Sequence, residues 1–311
     1  MDALYHVLIS PFVDMATQPV FFAEVVIGGL MAGVMYALVA LGFAVIFKAS
    51  GVVNFAQGAM VLFAALTLVG FMEQGLPSWA AIPMTIVVMI ALAYAIERVI
   101  LRHLVNQPHI VLFMTTIGLA FVFEGLGELL WGSNVKALDI GIPDQPFFVG
   151  GMLLNQFEIF AAATAAILVT LLVIFLQKTA IGRALRAVAD DHQAAQSVGI
   201  PLQTIWVVVW SVASFIALVA GVMWGAQSGV QFSLSLIAFK ALPVLILGGF
   251  NSIPGAIVGG LIIGVGEKVA EIYWGPIIGG AIENWFAYVL AMVFLMFRPQ
   301  GLFGEKIIER V

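Results

Sequence analysis

The chain has 311 residues, 63% of them hydrophobic and only 9% charged, with a formal net charge of -5. Soluble domains carry about 25% charged residues, so this composition excludes a water-soluble globule and marks an integral membrane protein. No basic run offers a footprint for nucleic acid, and the absence of cysteine excludes disulfides, thiolate nucleophiles and Cys-ligated metals.

Residues 1–20 form an N-terminal extension with Asp2, His6 and Asp14 but no Lys or Arg before Lys48. It lacks the positive start of a cleaved signal peptide, so the first apolar span is expected to be retained. A helical crossing needs about 20 apolar residues. By that length the predicted spans are about 22–47, 52–71, 79–96, 110–131, 157–176, 205–227, 255–273 and 281–297. Residues 132–155 read as a polar loop with Gly, Pro and Asp, and 236–250 as a short segment interrupted by Lys240 and Pro243. That segment is either a short crossing or re-entrant, giving eight or nine spans in an all-α, polytopic transmembrane helical bundle that forms a single domain over 1–311. Arg98 and Arg102, then Lys178, Arg183 and Arg186, then Arg298, Lys306 and Arg310 follow spans that should end in the cytoplasm. The N-terminus is then outside, and an odd count returns the C-terminus inside, which favours nine crossings, or eight plus a differently placed N-terminal segment.

The loop at 178–203, KTAIGRALRAVADDHQAAQSVGIPLQ, is polar enough to leave the bilayer yet patterned for helix. Leu185, Val188, Ala195 and Val198 fall near one helical face, Arg183, Arg186, Asp190 and Asp191 elsewhere, and Gly199 with Pro201 reads as a helix stop. The segment is either a solvated surface helix or a helix seated in a groove of a cytoplasmic partner.

Gln193, Ala194, Ala195 and Gly199 resemble in spacing the EAA loop motif of ABC importer permeases, with Gln in place of Glu and without the more distant I-LP part. GVMYALVALG at 33–42, NFAQG at 54–58, GRALRA at 182–187 and LGGFNSIPGAIVGG at 247–260 are similar, in order, to the LivH-type permeases of branched-chain amino acid importers. The resemblance runs from about residue 22 to 301. It implies one of two homologous membrane subunits in a bacterial inner membrane, two cytoplasmic ATPases and an external solute-binding protein. ATP would be used by the ATPases, with no cofactor bound by this chain. It further implies coupling through a cytoplasmic helix carrying Arg183, Arg186, Asp190, Gln193, Ala194, Ala195 and Gly199. Branched-chain or related amino acids are the implied cargo; urea, short amides or small carboxylates are an alternative on the same scaffold.

Polar groups inside apolar spans must find protein or water, since an unbonded amide in hydrocarbon costs about 4 to 8 kcal/mol. Asn54 and Gln57 either bond neighbouring helices or line a path, and Gly51 and Gly58 beside them suggest broken backbone there. Lys240, Glu267, Lys268 and Glu271 are functional candidates by position, unless they pair with one another or lie near the outer headgroups. Lys240 and Glu267 join Asn54 and Gln57 as candidate pathway residues. Glu124 and Glu128, one turn apart near an outer span end, are expected to meet water or the binding protein. Gly29-x-x-x-Gly33, Gly255-x-x-x-Gly259 and Gly260-x-x-x-Gly264 are close-packing patterns, within this chain or toward a second permease.

No phosphate-cradling G-x-x-x-x-G-K-[ST], no H-E-x-x-H and no G-x-S-x-G occurs. Catalytic and metal-ligating residues are therefore expected to be none. A secondary transporter or channel, with intramembrane Glu and Lys as coupling groups, is the competing class; it has no need of a docking helix.

Overall fold

The computed structural model describes residues 5, 7–104 and 107–304; Lys306 and Arg310 of the expected inner cluster lie outside them, as does His6. Among the described residues six helices are long and apolar enough to cross a membrane, fewer than the eight or nine expected spans; Gln57–Glu73, Phe232–Gly248 and Phe286–Phe297 are shorter apolar helices. In chain order the helices are α1 (Ser10–Thr17), α2 (Pro19–Ser50), α3 (Gln57–Glu73), α4 (Ser78–Val99), α5 (His109–Trp131), α6 (Gln156–Lys178), α7 (Ala180–Asp190), α8 (His192–Ser197), α9 (Leu202–Ser228), α10 (Ile237–Gly248), α11 (Ile253–Ile278) and α12 (Phe286–Phe297). The expected loop at 132–155 holds one small β-hairpin, β1 (Pro146–Val149) with β2 (Met152–Asn155), antiparallel with Val149 opposite Met152. Gly150 and Gly151 both adopt positive φ, 61° and 88°, which a two-residue hairpin turn requires.

The chain divides into two compact units, one of Met1–Ala37, Gly141–Ala166 and Lys240–Val311, the other of Leu38–Ile140 and Ile167–Phe239. In the first, α2 lies backbone-to-backbone on α11. A Cβ at Gly29 would stand 2.7 Å from the Val265 Cα, and one at Gly33 would stand 2.7 Å from the Gly260 carbonyl oxygen. The other face of α11 meets α10, where a Cβ at Gly259 would stand 2.7 Å from the Val244 carbonyl oxygen. All three small-residue patterns thus pack helices within this chain. Ser252 caps α11 by accepting from the Gly255 N–H at 3.0 Å. Leu302 and Phe303 donate to the carbonyls of Leu247 and Gly248, tying the chain's last described residues to the end of α10.

In the second unit α3 is the core. It is apolar all round, so no face of it suits water, and every residue from Gln57 to Gly70 is buried. The helices α4, α5 and α9 surround it.

Candidate functional site

Two interruptions of helical backbone organise the polar groups. The first lies between α2 and α3. A Cβ at Gly42 would stand 2.5 Å from Gln57 Nε2, so the start of α3 sits level with a point about 12 Å along α2 before its end at Ser50. The chain therefore turns back alongside α2 before α3 begins, the broken backbone that Gly51 and Gly58 suggest. Asn54 and Gln57 are both 0% exposed. Asn54 Oδ1 accepts from the Ala56 N–H at 3.1 Å, and Gln57 Nε2 donates to the Ala213 carbonyl of α9 at 3.2 Å. Both bond within the protein here, while Gln57 Oε1 is buried without a hydrogen bond among the described residues.

The second interruption precedes α10. Val230 exchanges both backbone hydrogen bonds with Lys136, and Lys136 pairs with Glu73 at the far end of α3. Five residues later the Ser235 carbonyl presses on Gly58 in the first turn of α3, where no side chain would fit. The segment thus runs down α3 without α-helix, through a 3₁₀ turn at Phe232–Leu236, before α10 starts. Interrupted helices are where transporters commonly build binding sites.

The first turn of α10 carries Lys240. Its Nζ donates to Glu267 Oε1 of α11 at 3.0 Å, and the Tyr36 hydroxyl of α2 donates to the same oxygen at 3.0 Å. Lys240 Nζ also stands 5.9 Å from the Tyr36 ring centroid, within cation–π range. Glu267 is 4% exposed, whereas the Lys240 side chain is 28% exposed. Glu267 Oε2 is buried and receives no hydrogen bond from the described residues. The cluster therefore pairs an acceptor of unused capacity with an ammonium that is partly open. Tyr36 was not among the sequence candidates; the signal available was its place inside GVMYALVALG.

Of the remaining charged candidates, Glu271 has a local task. Glu271 accepts from the N–H groups of Ala281 and Glu283, at 3.2 and 3.0 Å, and so closes the loop after α11. Glu124 is half-buried and Glu128 exposed on α5; Lys268 is exposed on α11. A cavity of about 490 Å³ between α4, α6 and α9 is lined by Ile86, Met89, Leu172, Phe175, Val212 and their neighbours. Its one hydroxyl, Ser211, already donates to the Val207 carbonyl, so it holds nothing to orient a polar solute.

The loop at 178–203 forms two helices instead of one. Thr179 caps α7 through the Gly182 N–H at 3.1 Å, and Gly182 packs directly on the Leu176 carbonyl. Arg186 donates to that carbonyl at 2.7 Å, and Arg183 to the Lys178 carbonyl at 3.3 Å, so both arginines fasten the loop to the end of α6. Asp190 is exposed at the end of α7. Asp191 then breaks the helix with extended backbone and caps α8, its carboxylate accepting from the Gln193 and Ala194 N–H groups. This break corrects the expectation of a single face. Leu185, Val188 and Ala195 are buried, but Val198 is 75% exposed. Gln193 and Ala194 are exposed, and Gly199 ends the segment at φ +86° with open space around it. The arrangement presents a short polar helix with one apolar residue at its tip.

The sequence profile described as branched-chain amino acid transport system / permease component matches residues 25–298. The chain belongs to this family. It is therefore a transport subunit of the membrane and not an enzyme. It is 30% identical to the high-affinity branched-chain amino acid transport system permease protein BraD of Pseudomonas aeruginosa, over 93% of this chain and 98% of that one. It is 28% identical to the corresponding LivH of Escherichia coli, over 96% of this chain and 100% of that one. The solved structure of PsaBC from Streptococcus pneumoniae in complex with Fab shares the fold, with a TM-score of 0.51 at 17% identity over 93% of this chain and 95% of that one.

Proposed function

We propose that this chain is one of two homologous membrane subunits of an ATP-driven importer of the bacterial inner membrane, carrying branched-chain or related amino acids delivered by an external binding protein. The family match over residues 25–298 carries this reading. Two cytoplasmic ATPases would supply the energy and use the ATP, engaging α7 and α8; the exposed Val198 beside exposed Gln193 and Ala194 suits a groove on such a partner. Arg183, Arg186 and Asp191 would transmit force, because each fixes the helix pair to itself or to α6.

We further read nine crossings, with the interrupted segment and α10 together making one. With the N-terminus outside, every backbone tie between loops joins loops on one side: Lys136 with Val230 outside, and Leu302 with Leu247 inside. Alone, α10 would be about 18 Å long, well short of a core of about 30 Å. In this arrangement the Lys240–Glu267–Tyr36 cluster lies part-way along the crossings and is the favoured place for a polar solute to pause, whereas Asn54 and Gln57 hold the first interruption closed.

The test is purification of the chain from native membranes in mild detergent, with mass spectrometry of what accompanies it. A second permease and an ATPase, with ATP-dependent uptake after reconstitution, is the expected result. Transport by this chain alone in ATP-free liposomes would overturn the reading in favour of an ion-coupled transporter.

A further inference from the structure

The N-terminal extension lies before residue 25, where the family match begins, and it is built with a specific shape. Helical hydrogen bonds run from Tyr5 onward, with the Ile9 N–H donating to the Tyr5 carbonyl and the Val13 N–H to the Ile9 carbonyl. On the inner face of this segment Pro11 is buried, and Val7, Ser10 and Met15 are half-buried. The opposite face exposes Leu8, Ile9, Phe12 and Val13, spaced i, i+1, i+4, i+5 as one stripe of a helix. Leu8 and Phe12 are each 58% exposed. Asp14 is the charged residue of α1, and its position falls away from that stripe.

Two contacts fix how the segment lies. Trp274 Nε1 of α11 donates to the Val7 carbonyl at 3.0 Å, and the Phe12 ring meets the Trp274 ring edge-on at 5.5 Å. Past the break at Gln18, Phe21 and Phe22 of α2 pack on Tyr273, with ring centroids 6.3 and 6.4 Å away. Both ends of the segment therefore meet the same level of α11. A helix of residues 7–17 aligned with α11 would separate its two ends by about 15 Å at 1.5 Å per residue, so α1 lies across α11. The level itself is marked by Trp274, Tyr273, Phe12, Phe21 and Phe22, and Trp and Tyr concentrate where the bilayer meets water. The exposed stripe continues into Val20 and Phe21 at the start of α2, itself an apolar crossing.

From this geometry we infer that residues 7–17 are an interfacial anchor, an amphipathic helix lying in the plane of the outer membrane surface with Leu8, Ile9, Phe12 and Val13 in the acyl-headgroup boundary. The occupant of its exposed face is lipid. The stripe is apolar, carries no charge to complement a protein, and is continuous with the surface of a membrane-crossing helix.

The chain has no cysteine, so single nitroxide labels report cleanly. Leu8→Cys, Phe12→Cys and Asp14→Cys would be labelled in the full chain and reconstituted into phosphatidylethanolamine–phosphatidylglycerol vesicles. Collision with lipid-soluble oxygen and with a water-soluble nickel chelate is then compared. The expected result is an oxygen-to-nickel ratio several-fold higher at residues 8 and 12 than at 14. Equal ratios at all three would show a water-facing stripe and overturn the inference. So would shielding of residues 8 and 12 from both reagents, which would mean that protein covers them.

Discussion

Glu267 and Lys240 form an asymmetric pair, one side chain buried and the other partly exposed. The Glu267 carboxylate is buried and its cationic neighbour is Lys240, so removing that neighbour strands a charge, at a cost of about 3–5 kcal/mol for a buried pair broken from one side. The reverse change is milder, because Lys240 is partly open and can turn toward water. Lys240→Met should therefore lower the melting temperature in detergent more than Glu267→Gln, and the double variant should be more stable than the sum of the two losses. Additive losses would show that the pair does not couple. Glu267→Gln also separates structure from transport. A purely structural Glu267 leaves substrate-stimulated ATP hydrolysis and uptake mostly intact, whereas normal assembly with uptake abolished assigns it to the path.

At the scale of elements, the helix pair α7–α8 shows what a pattern can and cannot convey. The charged loop, the stop at Gly199 and Pro201 and the buried Leu185, Val188 and Ala195 were all legible, because periodicity and capping act locally. The break is invisible to periodicity, since a period carried through Asp191 ignores that its carboxylate competes for the N–H groups of Gln193 and Ala194. Val198 consequently moved from the expected inner face to the tip. The interruptions before α3 and α10 are half visible, as Gly58 and the short 236–250 run, but the packing of the Ser235 carbonyl against Gly58 is a contact between segments far apart in sequence. Tyr36 is a like case, an aromatic in an apolar run whose hydroxyl finds Glu267 only once α2 and α11 pack. The hairpin at Gly150 and Gly151 has a local signal, two glycines between apolar pairs, inside a stretch whose polar composition reads as loop.

The corrected geometry changes which substitutions are informative there. Ala195 is buried within the chain, so Ala195→Arg would disturb the loop itself. Val198→Asp touches nothing internal of consequence. We expect it to leave melting unchanged while depleting the ATPase recovered on co-purification and lowering coupled uptake; full ATPase recovery with normal uptake would remove Val198 from the docking surface. At Gly199 a Cβ meets open space, so any penalty comes from its positive φ and not from crowding. Gly199→Ala should cost about 1–2 kcal/mol, and Gly199→Asn, which tolerates that conformation better, should cost less. Equal melting of both variants with the parent chain would show that the turn relaxes freely.

For the whole molecule the decisive quantity is the number of crossings, because parity fixes which loops can meet the ATPases and which can meet the binding protein. Nine crossings place the hairpin β1–β2, the Lys136–Val230 tie and the loop closed by Glu271 on one side, opposite α7–α8 and Arg298. Eight crossings would put Arg298 on the same side as the hairpin, against the charge bias of short loops. The chain's lack of cysteine makes the test direct. Single substitutions Ser133→Cys, Asp144→Cys, Gln193→Cys and Gln300→Cys in intact cells would be exposed to a membrane-impermeant maleimide after the outer membrane is permeabilised. We expect labelling at 133 and 144, and labelling at 193 and 300 only after the inner membrane is breached. Labelling of 300 in intact cells would mean that the interrupted segment and α10 enter and leave on the same side. The C-terminal end tied to α10 through Leu247 and Gly248 would then face outward, and the path of the solute would have to be redrawn around a re-entrant loop.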